Sequence, residues 1–468
     1  MNNVSYDTFL VNITMSHSVV SGGLMDYLNH VTEFDVEHEG QTSYDRVNVH
    51  NGQKRFIDMF AGLGGFHVGL SKLGMECVFA SELDEELRGL YQKNFGLLPE
   101  GDIRLVDEKN IPAHDVLCAG FPCQPFSVAG KKKGAACPAS GKLINDVLRV
   151  AAHHLPNYIL LENVPNILTI QNGNFWHQIT DLLGKLGYEV DYRIYSPHEF
   201  GIPQKRERVF VVASRIGLKH FSWPSTADRP SKNLNQLVMD DEPNVRKIES
   251  AKLNILEKWQ KLLGQLKGIS SHTIIAPEFG ATYPLGDIRN STLKQMRQYK
   301  GAFGASLADC KTWAEVMDKM PHYVKANDGK VPAWIGSSLA CSRAIYQKHQ
   351  EFLDNWKIEI IDAPNSWQKL EWRGRRDKLD IWLHTIQFRA SGIRIMRPSY
   401  APSLVAMTPT QTPIIGFKKR YMGVREAASL QSLESLKWFP EKNGHAFKAL
   451  GNAVNAFIIG EIANSLIF

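Results

Sequence analysis

Three groups spread along the chain have the residue types for one reaction. Cys123 sits between two prolines in Ala119-Gly-Phe-Pro-Cys-Gln-Pro-Phe-Ser127, and Glu162 follows 39 residues later in Leu161-Glu-Asn-Val164. Arg206 and Arg208 alternate in Gln204-Lys-Arg-Glu-Arg208. A thiolate is a nucleophile and a carboxyl group can donate a proton, so Cys123 and Glu162 form a plausible pair for addition chemistry. Two guanidiniums on one side of an extended segment suit a carbonyl oxygen plus a phosphate. Taken singly, each has a blander reading: a small buried cysteine in a tight turn, a surface or helix-capping carboxylate, a surface arginine pair. Their placement along the chain is what sets those readings aside.

Each group follows or opens an apolar run. Asp115-Val-Leu-Cys118 reads as a buried parallel strand, which puts Cys123 just beyond its carboxyl end, where open α/β sheets bind ligands. Pro122 and Pro125 stiffen that loop by fixing φ and removing donors. Tyr158-Ile-Leu-Leu161 ends on Glu162 in the same way, and Val209 to Ala213 is a strand that follows the arginines. Upstream, Arg55-Phe-Ile-Asp-Met59 runs into Phe60-Ala-Gly62-Leu-Gly64-Gly65 and a helix-like segment, His67 to Leu73. Strand, glycine turn and helix open a nucleotide-binding βαβ unit. A second strand, Cys77 to Ser81, ends on Glu82, 18 residues after Gly64 and placed for ribose hydroxyls. An acidic turn at Gly101-Asp102-Ile103 is suited to the base of the same cofactor. Gly130-Lys-Lys-Lys-Gly134 reads as a basic flap that meets a phosphate backbone.

Composition bounds the rest. With 468 residues, 43% of them hydrophobic and 22% charged, the chain suits a soluble protein of two to three domains. No apolar run reaches the ~20 residues of a membrane span, and the start lacks the pattern of a secretory signal. Six cysteines, at 77, 118, 123, 137, 310 and 341, have no zinc-like spacing, so free thiols in a reducing cytoplasm and no metal are expected. Residues 1–53 read as an acidic extension without chemistry: residues 1–50 hold seven acidic side chains against one basic, so the remainder carries +12. Between Arg229 and Arg397 the βα rhythm is lost. That stretch holds 27 Lys/Arg against 18 Asp/Glu and seven of the ten tryptophans, a composition shared by nucleic-acid-reading surfaces and by cores with a solvated basic face. Its first part, Val245 to Lys267, has helical spacing, and its later part contains Trp372-Arg-Gly-Arg-Arg376. The chain closes with a helix candidate at Val424 to Leu433, then Gly451-Asn-Ala-Val-Asn455 and an apolar helix over 456–467.

In this order, DMFAGLGGF, Glu82, GDI, AGFPCQPFS, LENV, QKRER, RPSYAPSL and GNAVN closely resemble the C5-cytosine-specific DNA methyltransferase family over most of residues 55–215 and 397–468. The resemblance implies an α/β, Rossmann-like, S-adenosylmethionine-dependent sheet over residues 54–228. It also implies a smaller, irregular target-recognition domain over 229–440, with a C-terminal helix, 441–468, returning to the first unit. Cys123 then matches the thiolate that adds to cytosine C6, and Glu162 the carboxyl that engages N3 and the exocyclic amine. Arg208 matches the group that holds O2, with Arg206 supporting it. Phe60, Gly62, Gly64, Glu82, Asp102, Ile103, Pro122, Asn452 and Val454 match cofactor positions. Gln124, Ser127, Lys131, Lys132 and Lys133 match the DNA side. The target base must leave the duplex to be reached. One departure stands out: Ser140-Gly141-Lys142-Leu143 replaces the family's Arg-Gly pair, which removes a phosphate or flap-closing contact for which Lys142 or Lys131 to Lys133 are the candidate substitutes.

The resulting expectation is a monomeric DNA (cytosine-5-)-methyltransferase acting on double-stranded DNA. It belongs to the bacterial cytoplasm and nucleoid and partners a restriction endonuclease in function. Alternatives are a tRNA methyltransferase of the same family, whose compact recognition region fits poorly with 169 residues over 229–397, and a catalytically dead DNA-binding regulator, which needs none of Cys123, Glu162 and Arg208. A NAD-dependent dehydrogenase shares the glycine turn alone.

Overall fold

The structure, a computed structural model, describes residues 52–122, 143–230, 232–266, 268–269, 273–404 and 411–468. Cys123, Gln124, Ser127, Lys131, Lys132 and Lys133 lie outside the described residues.

The first sheet is built from β1 (Arg55–Met59), β2 (Glu76–Ser81), β3 (Val116–Ala119), β4 (Tyr158–Asn163), β5 (Glu189–Tyr195) and β7 (Arg208–Ser214), in the order β2-β1-β3-β4-β7-β5. β1 to β4 are parallel, and their runs are apolar because helices cover both faces. α1 (Gly65–Ser71), α2 (Glu85–Phe95), α3 (Leu143–His154) and α4 (Asn174–Lys185) connect them. On one face Ile57, Leu117, Ile159 and Val211 pack with Val147 and Leu148 of α3 and Ile179 and Leu183 of α4. The strand order reverses between β1 and β3. The chain therefore leaves both strands at one level, with Met59 opposite Ala119, and opens a crevice between the glycine turn and the loop that leads to Cys123.

β7 breaks the parallel pattern. It runs antiparallel to both β4 and β5, pairing Glu162 with Phe210 and Asn163 with Val209. Its amino end thus stands at the carboxyl rim of the parallel strands. Just before it, β6 (Gln204–Lys205) pairs in parallel with Ala401–Pro402.

The stretch without βα rhythm has its own six-stranded sheet. β8 (Thr273–Ile275), β9 (Lys369–Arg373), β10 (Thr385–Arg389), β11 (Gly392–Met396), β13 (Ile414–Ile415) and β14 (Arg420–Tyr421) lie in the order β14-β13-β10-β11-β9-β8, and Ala401–Pro402 is β12. The helical spacing near 245–267 is realised as α5 (Ser250–Leu263), whose Leu256, Trp259 and Leu262 pack on Trp372, Ile386, Ile393 and Ile395. α6 (Gly336–Lys348) and α7 (Gln350–Trp356) follow within the same stretch. The expected helix over 424–433 is shorter, α8 (Val424–Ser429).

The chain then returns to the first sheet through α9 (Asn443–Asn452) and α10 (Ala456–Ile467). These two segments together are apolar enough to cross a membrane by composition. They are separated at Ala453–Asn455, however, and Ile458, Ile459 and Ile462 of α10 are core residues against Phe56, Cys118, Leu160 and Phe66. Packing also ties β12 and residues after it to the side of the first sheet: Ala401, Leu404, Ala427, Leu430 and Leu433 share a core with Leu63, Leu87 and Leu90.

Candidate active site at the carboxyl rim

β4 ends on Glu162 and Asn163, both buried. Arg208 Nε lies 3.0 Å from Glu162 Oε1, and Arg208 also donates to its neighbour's carbonyl, Glu207 O, at 2.7 Å. Burial pushes the Glu162 carboxyl up, while the Arg208 and Arg206 charges and the Arg208 hydrogen bond pull it back only in part. The result is a carboxyl group biased toward its protonated form and steered by one guanidinium. Asn163 Nδ2 donates to Phe121 O at 2.9 Å, so the same strand end tethers the chain two residues before Cys123. Gly120 lies close by, and a Cβ there would sit 4.0 Å from Glu162 Oε2 and 3.1 Å from the Val454 side chain. The carboxylate, the entrance of the Pro-Cys loop and the Gly451–Val454 segment therefore meet at one place.

The two arginines take different hydrogen-bond partners, although both charges act on the Glu162 carboxyl. Arg206 is buried, and its Nη1 and Nη2 donate to Gly451 O at 2.8 Å and Ala453 O at 3.2 Å. Its backbone N–H donates to Ser196 Oγ at 2.9 Å. Arg206 directly follows the short β6–β12 pairing, which ends at Lys205.

Across the crevice, Gly64 has φ 80°, and a Cβ there would press into Phe95 and Tyr91. Gly65, passed over as a site residue in the sequence, has its Cα against the Val454 carbonyl, where a Cβ would overlap that oxygen. Its signal was the adjacent pair Gly64-Gly65 in the turn after an apolar strand. Phe60 holds φ 60°, an uncommon conformation for a non-glycine residue. Glu82 ends β2 with both oxygens turned onto backbone, accepting from Gly62 N and Asp84 N at 2.8 Å each. Asp102 caps the turn at Ile103, accepts from Arg104 N at 3.1 Å and pairs with the Arg104 guanidinium, while Ile103 is core. Val454 is buried beside Gly120, whereas Asn452 and Pro122 are exposed.

A Cβ on Gly62 would meet nothing within 4 Å, so there is open space above the turn. Glu82 sits at the edge of that space with acceptor capacity to spare, since each carboxylate oxygen takes more than one hydrogen bond. Among the described residues no group of three His, Cys, Asp or Glu could hold a metal ion.

Known proteins share this arrangement of sequence. Over 188 residues the chain is 41% identical to the Type II methyltransferase M.HhaI of Haemophilus parahaemolyticus, an alignment covering 40% of this chain and 56% of that protein. It is 42% identical over 193 residues to the Type II methyltransferase M.BsuFI of Bacillus subtilis, covering 39% of this chain and 47% of that one. The chain thus spans about half the length of these two relatives. Against the Type II methyltransferase M.AluI of Cellulosimicrobium cellulans it is 28% identical over 482 residues, or 88% of this chain and 91% of that protein. A model of the family described as C-5 cytosine-specific DNA methylase matches residues 54–467. The chain belongs to the C-5 cytosine-specific DNA methylase family.

Proposed function

We propose that this chain is a DNA (cytosine-5-)-methyltransferase that uses S-adenosylmethionine and modifies a cytosine flipped out of duplex DNA. The observation that carries the reading is the Arg208–Glu162 pair, set at 3.0 Å on the rim beside the tethered entrance to Cys123. Cytosine C5 is a weak nucleophile, so the ring must first be loaded with electrons. The Cys123 thiolate forms a bond to C6, and the ring electrons shift toward N3. A protonated Glu162 gives N3 a proton, or shares one with it, as that charge develops, and its second oxygen accepts from the exocyclic amine. Arg208 holds O2 and keeps Glu162 turned to the base. S-adenosylmethionine, when bound, supplies the methyl group that C5 acquires. Loss of the C5 proton to a base and departure of the thiolate then restore the aromatic ring.

The cofactor would be held by the Phe60–Gly64 turn, with Glu82 on the ribose, Asp102 and Ile103 at the adenine, and Pro122, Asn452 and Val454 closing the other side. Arg206 is a positioning residue that fixes the backbone on either side of Asn452. Residues 229–440 serve as the recognition part. Their own sheet and α5 form its centre, and the stretch after β12 packs on the catalytic side. Acting as a monomer on DNA in the bacterial cytoplasm, the enzyme protects sites from a cognate endonuclease.

The test is transfer of labelled methyl groups from S-adenosylmethionine to duplex DNA and to tRNA, with the native chain and Cys123→Ser. Label at cytosine C5 of duplex DNA, absent with the variant, is expected. Label on tRNA alone would move the chain to an RNA substrate, and no transfer to either, with DNA binding retained, would leave a regulator.

A further inference from the structure

The recognition sheet has an arginine-dense end. Glu371 on β9 is opposite Arg394 on β11, and it takes Arg394 Nε at 2.7 Å, Arg389 Nη1 at 3.2 Å and Arg373 Nε. Burial works against the Glu371 charge, yet the Arg394 and Arg373 contacts hold its carboxyl below the usual range, so one anion organises three cations. Beside this cluster lies a concavity of about 460 Å³ lined by Trp372, Arg373, Gly374, Arg376 and Arg397. Arg376 and Arg397 are exposed and have no ion pair to a described residue.

The loop that shapes the concavity is pinned on both sides. Trp372 Nε1 donates to Arg375 O at 3.1 Å, and Arg375 N donates to His384 Nε2 at 3.0 Å. Because Nε2 accepts, the His384 proton sits on Nδ1 and goes to Asp380 O at 2.6 Å, which fixes the ring between two backbone groups. A Cβ on Gly374 would run into both His384 and Trp372, so the loop has no slack. The guanidiniums at its rim are therefore presented from a rigid frame.

We propose that the concavity walled by Trp372, Arg373, Arg376 and Arg397 is a seat for one phosphodiester of the DNA duplex. This rests on the DNA-methyltransferase reading and names a backbone contact for it. Arginine side chains are among the groups that contact phosphate oxygens, and such contacts set register on the duplex rather than read its sequence. The charge selects an anion, since Arg376 and Arg397 have no acidic partner within ion-pair distance among the described residues. Position supports the same partner. From Arg397 the chain reaches β12 at Ala401, at most about 14 Å away at the ~3.5 Å reach of each residue. β12 in turn pairs with β6, three residues before Arg208. The seat and the base pocket are thus joined by one short path of backbone.

The experiment measures duplex binding by the full chain against salt concentration, together with methyl transfer, for the native protein, Arg376→Gln, Arg397→Gln and the double variant. Lys261→Gln, whose ammonium pairs with Glu359 and does not line the concavity, serves as the charge-matched control. Each seat variant is expected to weaken binding roughly three- to tenfold and to lower the slope of log K against log salt by about 1, with the ranking of target and single-base-changed duplexes intact. The control should change neither, and unchanged melting temperatures exclude misfolding. An unchanged slope in the double variant overturns the seat. Relaxed discrimination at one base pair also overturns it, because the arginines would then be reading a base. A native chain that binds duplex DNA but transfers no methyl group to it would instead sink the enzymatic reading, and the slopes would still decide the seat.

Discussion

Arg208 Nε stands 3.0 Å from Glu162 Oε1, although the two residues are 46 positions apart and on strands that run in opposite directions. An antiparallel β7 is what makes this contact: it starts where β4 ends. Had β7 been parallel, Arg208 would lie at the far edge of the sheet from the reacting base.

The pair gives a signed pH prediction. Burial raises the Glu162 carboxyl above its unfolded value, so its protonated form and its contribution to stability are present at low pH and fade as pH rises through the folded value. Methyl transfer should lose rate along an alkaline limb for the same reason. Arg208→Gln removes a charge that lowers this group, so the limb should move to higher pH while kcat falls about a hundredfold from the lost O2 contact. Single-turnover rates across pH for the native chain, Arg208→Gln and Glu162→Gln check this. A limb that stays in place would show that Glu162 is not the titrating group.

Gly65→Ala should damage both fold and cofactor binding. The added methyl overlaps the Val454 carbonyl, a backbone atom that cannot turn aside, and overpacking of this sort typically destabilises by about 1–3 kcal/mol. Thermal melting with and without S-adenosylmethionine is the measurement: a lower melting temperature and a smaller ligand-induced rise are expected. Gly62→Ala meets no atoms within 4 Å but has φ 55°, so its defect should be one of backbone strain.

Asn163→Ala cuts the tether to Phe121 O and leaves a buried carbonyl without its donor, a loss of roughly 1–3 kcal/mol. Because that carbonyl lies two residues before Cys123, the rate of covalent capture by a 5-fluorocytosine duplex should fall about tenfold with cofactor affinity unchanged. Equal capture rates would mean the tether is only structural.

Arg206→Met should act on the cofactor side. It strips donors from Gly451 O and Ala453 O, which flank Asn452, so the melting temperature should drop by several degrees and the S-adenosylmethionine dissociation constant should rise about tenfold. Arg206→Lys should recover only part of this, because a single ammonium nitrogen lacks the planar fork whose two separate nitrogens reach the two carbonyls. Calorimetric titration of the cofactor reads the difference.

By itself the sequence determined the chemistry and most of the strands that display it. Apolar runs located β1, β3 and β4, and the candidate site residues lie at or just past their ends, on the rim where open sheets take ligands. The glycine turn was legible because only small residues tolerate its backbone angles and the close approach of Val454. Tertiary structure alone decided strand direction and long-range pairing. Nothing in Arg208-Val-Phe-Val-Val-Ala213 says antiparallel, since a strand buried on both faces has the same composition in either direction. Nor does QKRER say that Arg206 binds the Gly451 and Ala453 carbonyls while Arg208 pairs with Glu162, because those partners are supplied by distant segments of the chain. The second sheet was hidden for the same reason: its strands are two to five residues long, too short to show a period, and they are held by partners that only the fold brings near.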